Sequence, residues 1–173
     1  MARLNPLYGR RRMLAGVIDV VEEWLASFQL DDAARAALRK IRHAQQEEVG
    51  SGPDFDVKRS PGAMADVEHL ALGLTLEDWE PGMPRPAHIP SLLAGLGERG
   101  RLKPAEADHL ALFYRRLRSV QVALQLHYGR DTNRLPADWG DTLPSPALRD
   151  ESVEGLRKEA EAVRAVFDRE FPA

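Results

Sequence analysis

The sequence predicts an all-α protein, an antiparallel bundle of about six helices. Apolar residues recur at the three- and four-residue spacing of a helix face along most of the chain. Strand-like alternation over four or more residues occurs nowhere. The connections between successive helical segments are mostly short, which favours antiparallel neighbours. At 173 residues, the chain is expected to form a single helical domain over 1–173.

The first two helices are predicted within residues 1–50, as an antiparallel hairpin. The first has an apolar stripe at helical spacing from Leu14 through Val17 to Phe28. The second follows Asp31, a residue type that caps helix N-termini, and has an apolar stripe that includes Ile41. The Gly- and Pro-containing segment after it ends the hairpin.

The third and fourth helices are separated by a proline-rich loop. The third is predicted to begin at Ser60 and Pro61, as its cap and its first helical residue. The four prolines at 81, 84, 86 and 90 predict the loop, and a short leucine-rich helix follows it.

The two C-terminal helices have clear boundary signals. Pro104 begins the longest helix, and Gly129 stands where a left-handed cap belongs. A loop follows, in which Trp139 is predicted to anchor on the core. Ser152 is the predicted cap of the last helix, within residues 150–171.

Composition excludes several function classes. Cysteine is absent, which removes disulfides, thiolate nucleophiles and cysteine-based metal sites. The net charge of −3 argues against non-specific nucleic-acid binding. No apolar run approaches the roughly 20 residues that a membrane span requires, and the N-terminus lacks a signal sequence. We therefore expect a cytoplasmic protein with neither a nucleic-acid nor a membrane partner.

No sequence motif indicates a catalytic residue or a metal site. The five histidines do not have the spacing of metal ligands. Phosphate-binding loops and nucleophile elbows are also absent from the sequence.

The candidate binding residues lie between positions 58 and 66. Lys58 and Arg59 place two cations just before the predicted third helix, whose first N–H groups are unpaired and carry partial positive charge. Ser60 is the predicted cap of this helix, and Gly62 is expected to leave its backbone open to close approach. With Asp66, these residues are predicted to bind an anion or a nucleotide, or to dock another domain. The alternative is that the two cations are solvated or pair with Asp66 or another carboxylate.

Glu68 and Gln121 are polar residues on apolar helix faces. Because burial of an unpaired carboxylate is costly, Glu68 should have a donor, and Arg118 and Gln121 are the candidates. We interpret Glu68 and Gln121 as a structural polar pair that fixes helix register.

Asp54 and Asp56 give an alternative hypothesis. With Gly50-Ser51, they superficially resemble the Gly-Ser and Asp-x-Asp signature of nucleotidyltransferases, in which the aspartates hold magnesium. Only Gly52 and Pro53 separate the two parts, which leaves no room for the helix that the signature requires. A divergent nucleotidyltransferase is therefore the weaker alternative.

The segment from Phe55 to Glu68 resembles the start of the helical domain of glutamine-synthetase adenylyltransferases. In members of that family, Phe-Asp-Leu-Lys is followed after a short variable stretch by Gly-Gly-Ile, one variable residue and Asp-Ile-Glu-Phe. Here the residues are Phe-Asp-Val-Lys-Arg-Ser-Pro-Gly-Ala-Met-Ala-Asp-Val-Glu. Further agreement follows in order at 89–93, 100–102 and 114–136. The region that resembles the helical domain is therefore 55–136, and weaker similarity extends the resemblance to about residues 35–136.

The sequence departs from the family pattern at several positions. Gly-Gly-Ile is replaced by Gly62-Ala63-Met64, and the Phe after Glu68 is His69. On the long helix, the position that is usually acidic in the family is Gln121 here. If Glu68 faces this position, the pair consists of a carboxylate and an amide.

The resemblance implies a part in the adenylylation of glutamine synthetase. Full-length members transfer AMP from ATP to a tyrosine of that enzyme and remove it again, using magnesium. That chemistry belongs to a nucleotidyltransferase domain, which in the family precedes this segment. We expect this chain to be the helical domain alone, as a fragment or a stand-alone relative.

As such a domain, the chain is expected to be an accessory or regulatory module that has no cofactor of its own. Its expected partner is a nucleotidyltransferase module or glutamine synthetase. Lys58, Gly62, Asp66 and Glu68 match the family motif position by position.

Overall fold

The computed structural model describes residues 11–27, 31–49, 52–79, 88–129, 132–137, 139 and 152–172. It confirms the all-α class, with six helices in these ranges. They are α1 (Arg11–Ser27), α2 (Asp32–Val49), α3 (Met64–Glu77), α4 (Ile89–Glu98), α5 (Pro104–Tyr128) and α6 (Val153–Glu170).

A two-residue strand pair joins distant parts of the chain. The strands β1 (Phe55–Asp56) and β2 (Arg134–Leu135) are antiparallel, with Phe55 opposite Leu135. The sequence did not predict this pair, because two residues are too few to show alternation. The pair fixes the start of the family motif against the chain that follows α5.

The core is formed by the packing of α3, α4, α5 and α6. α3 contacts each of the other three helices, and α4 packs closely on α5. α6 buries the predicted stripe of four residues, each at most 2% exposed: Leu156, Ala160, Val163 and Phe167. Trp139 is 2% exposed, which confirms its predicted place on the core.

Two predicted helix caps are present. The Asp31 carboxylate accepts the amide of Ala34 at 2.8 Å. The Ser152 hydroxyl accepts the amide of Gly155 at 2.9 Å. Each cap satisfies one of the N–H groups that a helix leaves unpaired at its start.

The longest helix has the predicted ends. α5 begins at Pro104. Gly129 follows the helix with φ of +62°, the left-handed conformation that favours glycine.

The predicted start of the third helix is wrong. α3 begins at Met64, and its N-cap is Ala63, whose side chain makes no capping bond. Ser60 does not cap the helix, because its hydroxyl accepts the backbone amide of Asp56 instead. Residues 57–62 form a turn between β1 and α3, and in this turn Gly62 has φ of +75°.

The N-terminal helix is less buried than its apolar pattern predicted. Val21 and Leu25 are buried, but Val17 is 48% exposed. The side chains of Leu14 and Phe28 and the predicted hairpin turn at 28–30 lie outside the described residues, as do residues 80–87 of the predicted proline-rich loop.

Candidate functional site

The turn between β1 and α3 holds four of the five predicted binding residues. The Asp56 carboxylate accepts the backbone amides of Lys58 at 2.9 Å and Arg59 at 2.8 Å. The Ser60 hydroxyl accepts the amide of Asp56 at 3.0 Å. Asp56 is only 8% exposed and is engaged by its own turn, which is the arrangement of a structural aspartate.

The backbone amides that an anion would need already have acceptors. Gly62 donates its amide to Asp66 Oδ2 at 2.6 Å, and Ala63 donates to the carbonyl of Ser60 at 2.9 Å. Every backbone N–H from residue 57 to residue 66 has an acceptor within the protein. Anion binding at this helix start therefore stays a prediction that would depend on side chains alone.

The two predicted cations are both on the surface. Arg59 pairs with Glu48 at 3.5 Å, and both side chains are about half exposed or more. Lys58 is exposed and has no ion pair within the described residues. Exposed ion pairs of this kind contribute about 0–1 kcal/mol to the free energy of unfolding. Arg59 can therefore exchange Glu48 for another acidic group at little cost.

Asp66 lies at the centre of a buried hydrogen-bond network. Its side chain is fully buried, and its Oδ1 accepts Nε of the equally buried Arg42 at 2.6 Å. Its Oδ2 accepts the Gly62 amide and, at 3.3 Å, the side-chain amide of Gln46. Arg164 of α6 approaches the same oxygen to 3.9 Å. The network joins α2, the turn, α3 and α6.

Arg42 is a residue that the sequence analysis missed. On α2 the buried residue is Arg42, whereas the predicted Ile41 is 56% exposed. The signal was its position four residues after Leu38, on the inner face of the helix. Because a buried charge needs a partner, an arginine at that position predicts a carboxylate opposite it.

Gly62 lies directly against α6. A Cβ on this residue would be 1.8 Å from the backbone oxygen of Ala160. The closest approach of the turn to α6 therefore requires a residue without a side chain. The structure thus gives a packing reason for the glycine at position 62.

Glu68 and Gln121 have different partners. Glu68 is half-buried on α3 and accepts the hydroxyl of Tyr114 on α5 at 2.8 Å. Gln121 accepts a bond from Arg118 and donates to Asn133 Oδ1 at 2.6 Å. Glu68 thus links α3 to α5, and Gln121 links α5 to the segment before β2.

In the described part of the chain, no three His, Asp or Glu side chains cluster in a way that could hold a metal ion. None of the helices described is long and apolar enough to span a lipid bilayer.

Sequence comparison finds one matching family and several similar enzymes. The sequence profile of GlnD PII-uridylyltransferase matches residues 32–167. The bifunctional glutamine synthetase adenylyltransferase/adenylyl-removing enzyme of Xanthomonas oryzae pv. oryzae is 31% identical over 137 residues. The enzymes of the same name from Xanthomonas campestris pv. campestris and Brucella suis biovar 1 are 32% and 26% identical.

These matches cover 73% of this chain, but only 13–14% of the length of the relatives. No solved structure gives a significant match. The similarity therefore concerns one helical segment of much longer enzymes.

Proposed function

The chain belongs to the GlnD PII-uridylyltransferase family, and on that premise we propose that it is an accessory interaction module in the adenylylation of glutamine synthetase. In this proposal it docks a nucleotidyltransferase module and transfers no nucleotide itself. ATP and magnesium belong to the docked module. The name of the relatives and the location of the match within one helical segment support this assignment.

The outward face of α5 carries the proposal. Leu112, Val122 and Leu126 are 59%, 47% and 80% exposed. With Arg115 and Ser119 they form a line at alternating spacings of three and four residues, which is the spacing of a helix-packing seam. We call these five residues the α5 face.

The α5 face has the composition of a docking surface. Val122 and Leu126 are neighbours on this face, and clustered exposed apolar residues mark interaction sites more often than isolated ones do. Arg115 is exposed and has no ion pair within the described residues, so a partner with an acidic group beside an apolar ridge would fit. A nucleotidyltransferase module is the partner that the relatives' name suggests.

Calorimetric titration of the chain with an isolated nucleotidyltransferase module of an adenylyltransferase tests the proposal. We expect the Leu126→Glu variant to bind at least about tenfold more weakly, because it would bury an unpaired carboxylate in the interface. Ile41→Glu is the matched control, since Ile41 is an exposed apolar residue on a different helix, and it should bind as the unmodified chain does.

Four results would contradict the proposal. The first is no binding to the module at about 50 μM, a concentration at which even transient interfaces are detected. The second is equal binding by the Leu126→Glu variant. Binding to glutamine synthetase alone would show that the partner is wrongly assigned, and AMP transfer by the chain with ATP and magnesium would favour the nucleotidyltransferase alternative.

A further inference from the structure

A pocket lies where α6 passes the segment 52–55 and the turn at Ser60 and Pro61. Its volume is about 430 Å³, enough for a small organic molecule. Phe55, Pro61 and Ala160 form apolar parts of its wall. We call this cavity the α6 pocket, and it is separate from the α5 face.

Arg157 supplies the α6 pocket with a fixed cation. One terminal nitrogen of its half-buried guanidinium donates to the carbonyl oxygens of Gly52, Pro53 and Asp54 at 2.8–2.9 Å. These bonds hold the side chain in place but do not neutralise it. Arg157 has no carboxylate within 4.0 Å among the described residues, and its other nitrogens donate to none of them.

Ser60 supplies a second donor. It lines the pocket and is only 7% exposed. Its hydroxyl oxygen accepts the Asp56 amide, whereas the hydroxyl proton has no acceptor in the described structure. A buried hydroxyl with an unused proton favours a ligand that can accept it.

Two carboxylates in the same lining also have no partner. Asp54 and Glu161 line the pocket, and neither forms an ion pair with a described residue. Glu161 follows Arg157 by four residues, the spacing at which opposite charges on a helix usually pair. The pairing is not made, because the guanidinium is engaged by the carbonyl oxygens.

The remaining cation of the lining is already neutralised. Arg164 donates to Asp168 at 2.9 Å and to Gln46 at 3.0 Å. The unpaired charges of the pocket are therefore one cation and two carboxylates. A polyanion such as a nucleoside triphosphate would be repelled by the two carboxylates, and a simple cation would be repelled by Arg157.

We propose that the α6 pocket binds a small zwitterion, whose acidic group contacts Arg157 and Ser60 and whose ammonium group contacts Asp54 and Glu161. The Cβ atoms of Arg157 and Glu161 are expected to be about 5–6 Å apart from their helical spacing, so the two ligand charges should be separated by a short carbon chain. This binding site is independent of the docking function proposed for the α5 face.

Titration with three matched probes, followed by amide chemical shifts of the full chain, tests the site. The probes are 4-aminobutyrate, butyrate and butylamine, which share a four-carbon chain. The first has both charged groups, the second only the carboxylate and the third only the ammonium group. We expect 4-aminobutyrate to shift the amides of Gly52 and Ser60 with a dissociation constant on the order of 1 mM, as suits a ligand of few atoms. Butyrate and butylamine should each bind at least about fivefold more weakly, since each lacks one charged contact.

Substitutions identify the two charge contacts separately. Arg157→Gln should abolish 4-aminobutyrate binding, and Glu161→Gln should lower its affinity toward that of butyrate, with the Asp54 contact remaining. Lys158→Gln is the control, because Lys158 is an exposed cation on the same helix outside the pocket lining, and it should change nothing. Because Arg157 also holds backbone carbonyls, the exposed Glu161 keeps the test valid if Arg157→Gln does not fold.

The proposal is overturned if no probe shifts the pocket amides at about ten times the expected dissociation constant. Equal affinity for butyrate and 4-aminobutyrate would also overturn it, since the pocket would then be a simple anion site. The same conclusion follows if Glu161→Gln binds 4-aminobutyrate as tightly as the unmodified chain does.

Discussion

Gly62 shows how strongly one residue limits this structure. Its φ of +75° is a conformation that residues with side chains rarely adopt. Its Cα also lies so close to α6 that an added Cβ would meet the backbone of Ala160. The two constraints are independent, and the second cannot be relieved by a change of rotamer because the obstructing atom belongs to the main chain.

We expect Gly62→Ala to lower the free energy of unfolding by about 3 kcal/mol or more, through backbone strain and displacement of α6. Gly129→Ala is the matched control, because Gly129 has φ of +62° and open space around its Cβ position. Its cost should be only about 1 kcal/mol. Urea denaturation of the two variants measures the difference, and equal losses would show that the contact with Ala160 has no energetic weight.

At the scale of the element, α2 is attached to the family motif through a charge. Arg42 bonds Asp66 and Gln45, and it also reaches the carbonyl of Arg59 at 3.4 Å. Both side chains of the Arg42–Asp66 ion pair are buried. Most of their hydrogen-bond donors and acceptors must therefore be satisfied to offset the cost of desolvation. Because the same carboxylate accepts the Gly62 amide, the position of α2 and the shape of the turn depend on each other.

We expect Arg42→Met to destabilise the protein by about 3–5 kcal/mol, because it leaves Asp66 buried without its closest cation. Arg59→Met removes an arginine from the exposed pair with Glu48 and should cost less than about 1 kcal/mol. Thermal and urea unfolding would measure both. A loss below about 1 kcal/mol for Arg42→Met would mean that Arg164 and Gln46 replace the missing partner.

At the scale of the whole molecule, ion pairs between helices lie around the ends of the bundle. The Glu77 carboxylate of α3 accepts Arg35 of α2 and, at 2.9 Å, Arg101 of the α4–α5 connection. Arg169 of α6 binds Glu106 of α5 through two bonds of 2.9 and 3.0 Å. These contacts join helices that are far apart in sequence.

The ion pairs shift the pKa values of the two carboxyl groups. Burial raises the pKa of Glu77, but the hydrogen bonds from Arg101 and Arg35 outweigh it, so that the pKa is lowered overall. The hydrogen bond from Arg169 is the main reason that the pKa of Glu106 lies below its usual value.

These shifts predict a loss of stability in acid. In the unfolded chain the two carboxyl groups take up protons near their ordinary pKa of 4.5, whereas the folded protein keeps them ionised to lower pH. Their contribution is therefore present above this pH and is lost as the pH falls through the lowered folded pKa values. We expect the free energy of unfolding, measured in urea, to fall more steeply below about pH 4.5 than between about pH 7 and 5.

The variant Glu106→Gln should reduce the acid-dependent part of this loss. Glu98→Gln is its control, because Glu98 is exposed and has no ion pair within the described residues. The control should leave the pH profile unchanged. An unchanged profile for Glu106→Gln would show that the pair with Arg169 does not contribute in solution.

The features that were predicted correctly are local. The caps at Asp31 and Ser152 and the ends of α5 depend on residues a few positions apart, so their chemistry can be recognised in the sequence. The start of α3 was mispredicted because Ser60 and Pro61 have the chemistry of a helix start, while Ser60 bonds back to Asp56 in the preceding turn. A helix that begins at Ser60 and a turn that continues to Gly62 have similar local chemistry. The turn is the one that packs against Ala160 of α6.

The sequence by itself determined the helical class, most helix boundaries and the family resemblance, because hydrophobic periodicity and capping act over one or two turns of the chain. Only the tertiary structure decided that Arg42 neutralises Asp66, that Gly62 touches Ala160, and that Arg157 is held by carbonyl oxygens beside the α6 pocket. Each of these contacts joins residues 24 to 105 positions apart. Residues so distant in the chain are neighbours only after the helices pack, and periodicity contains no information on which side chains will then face one another.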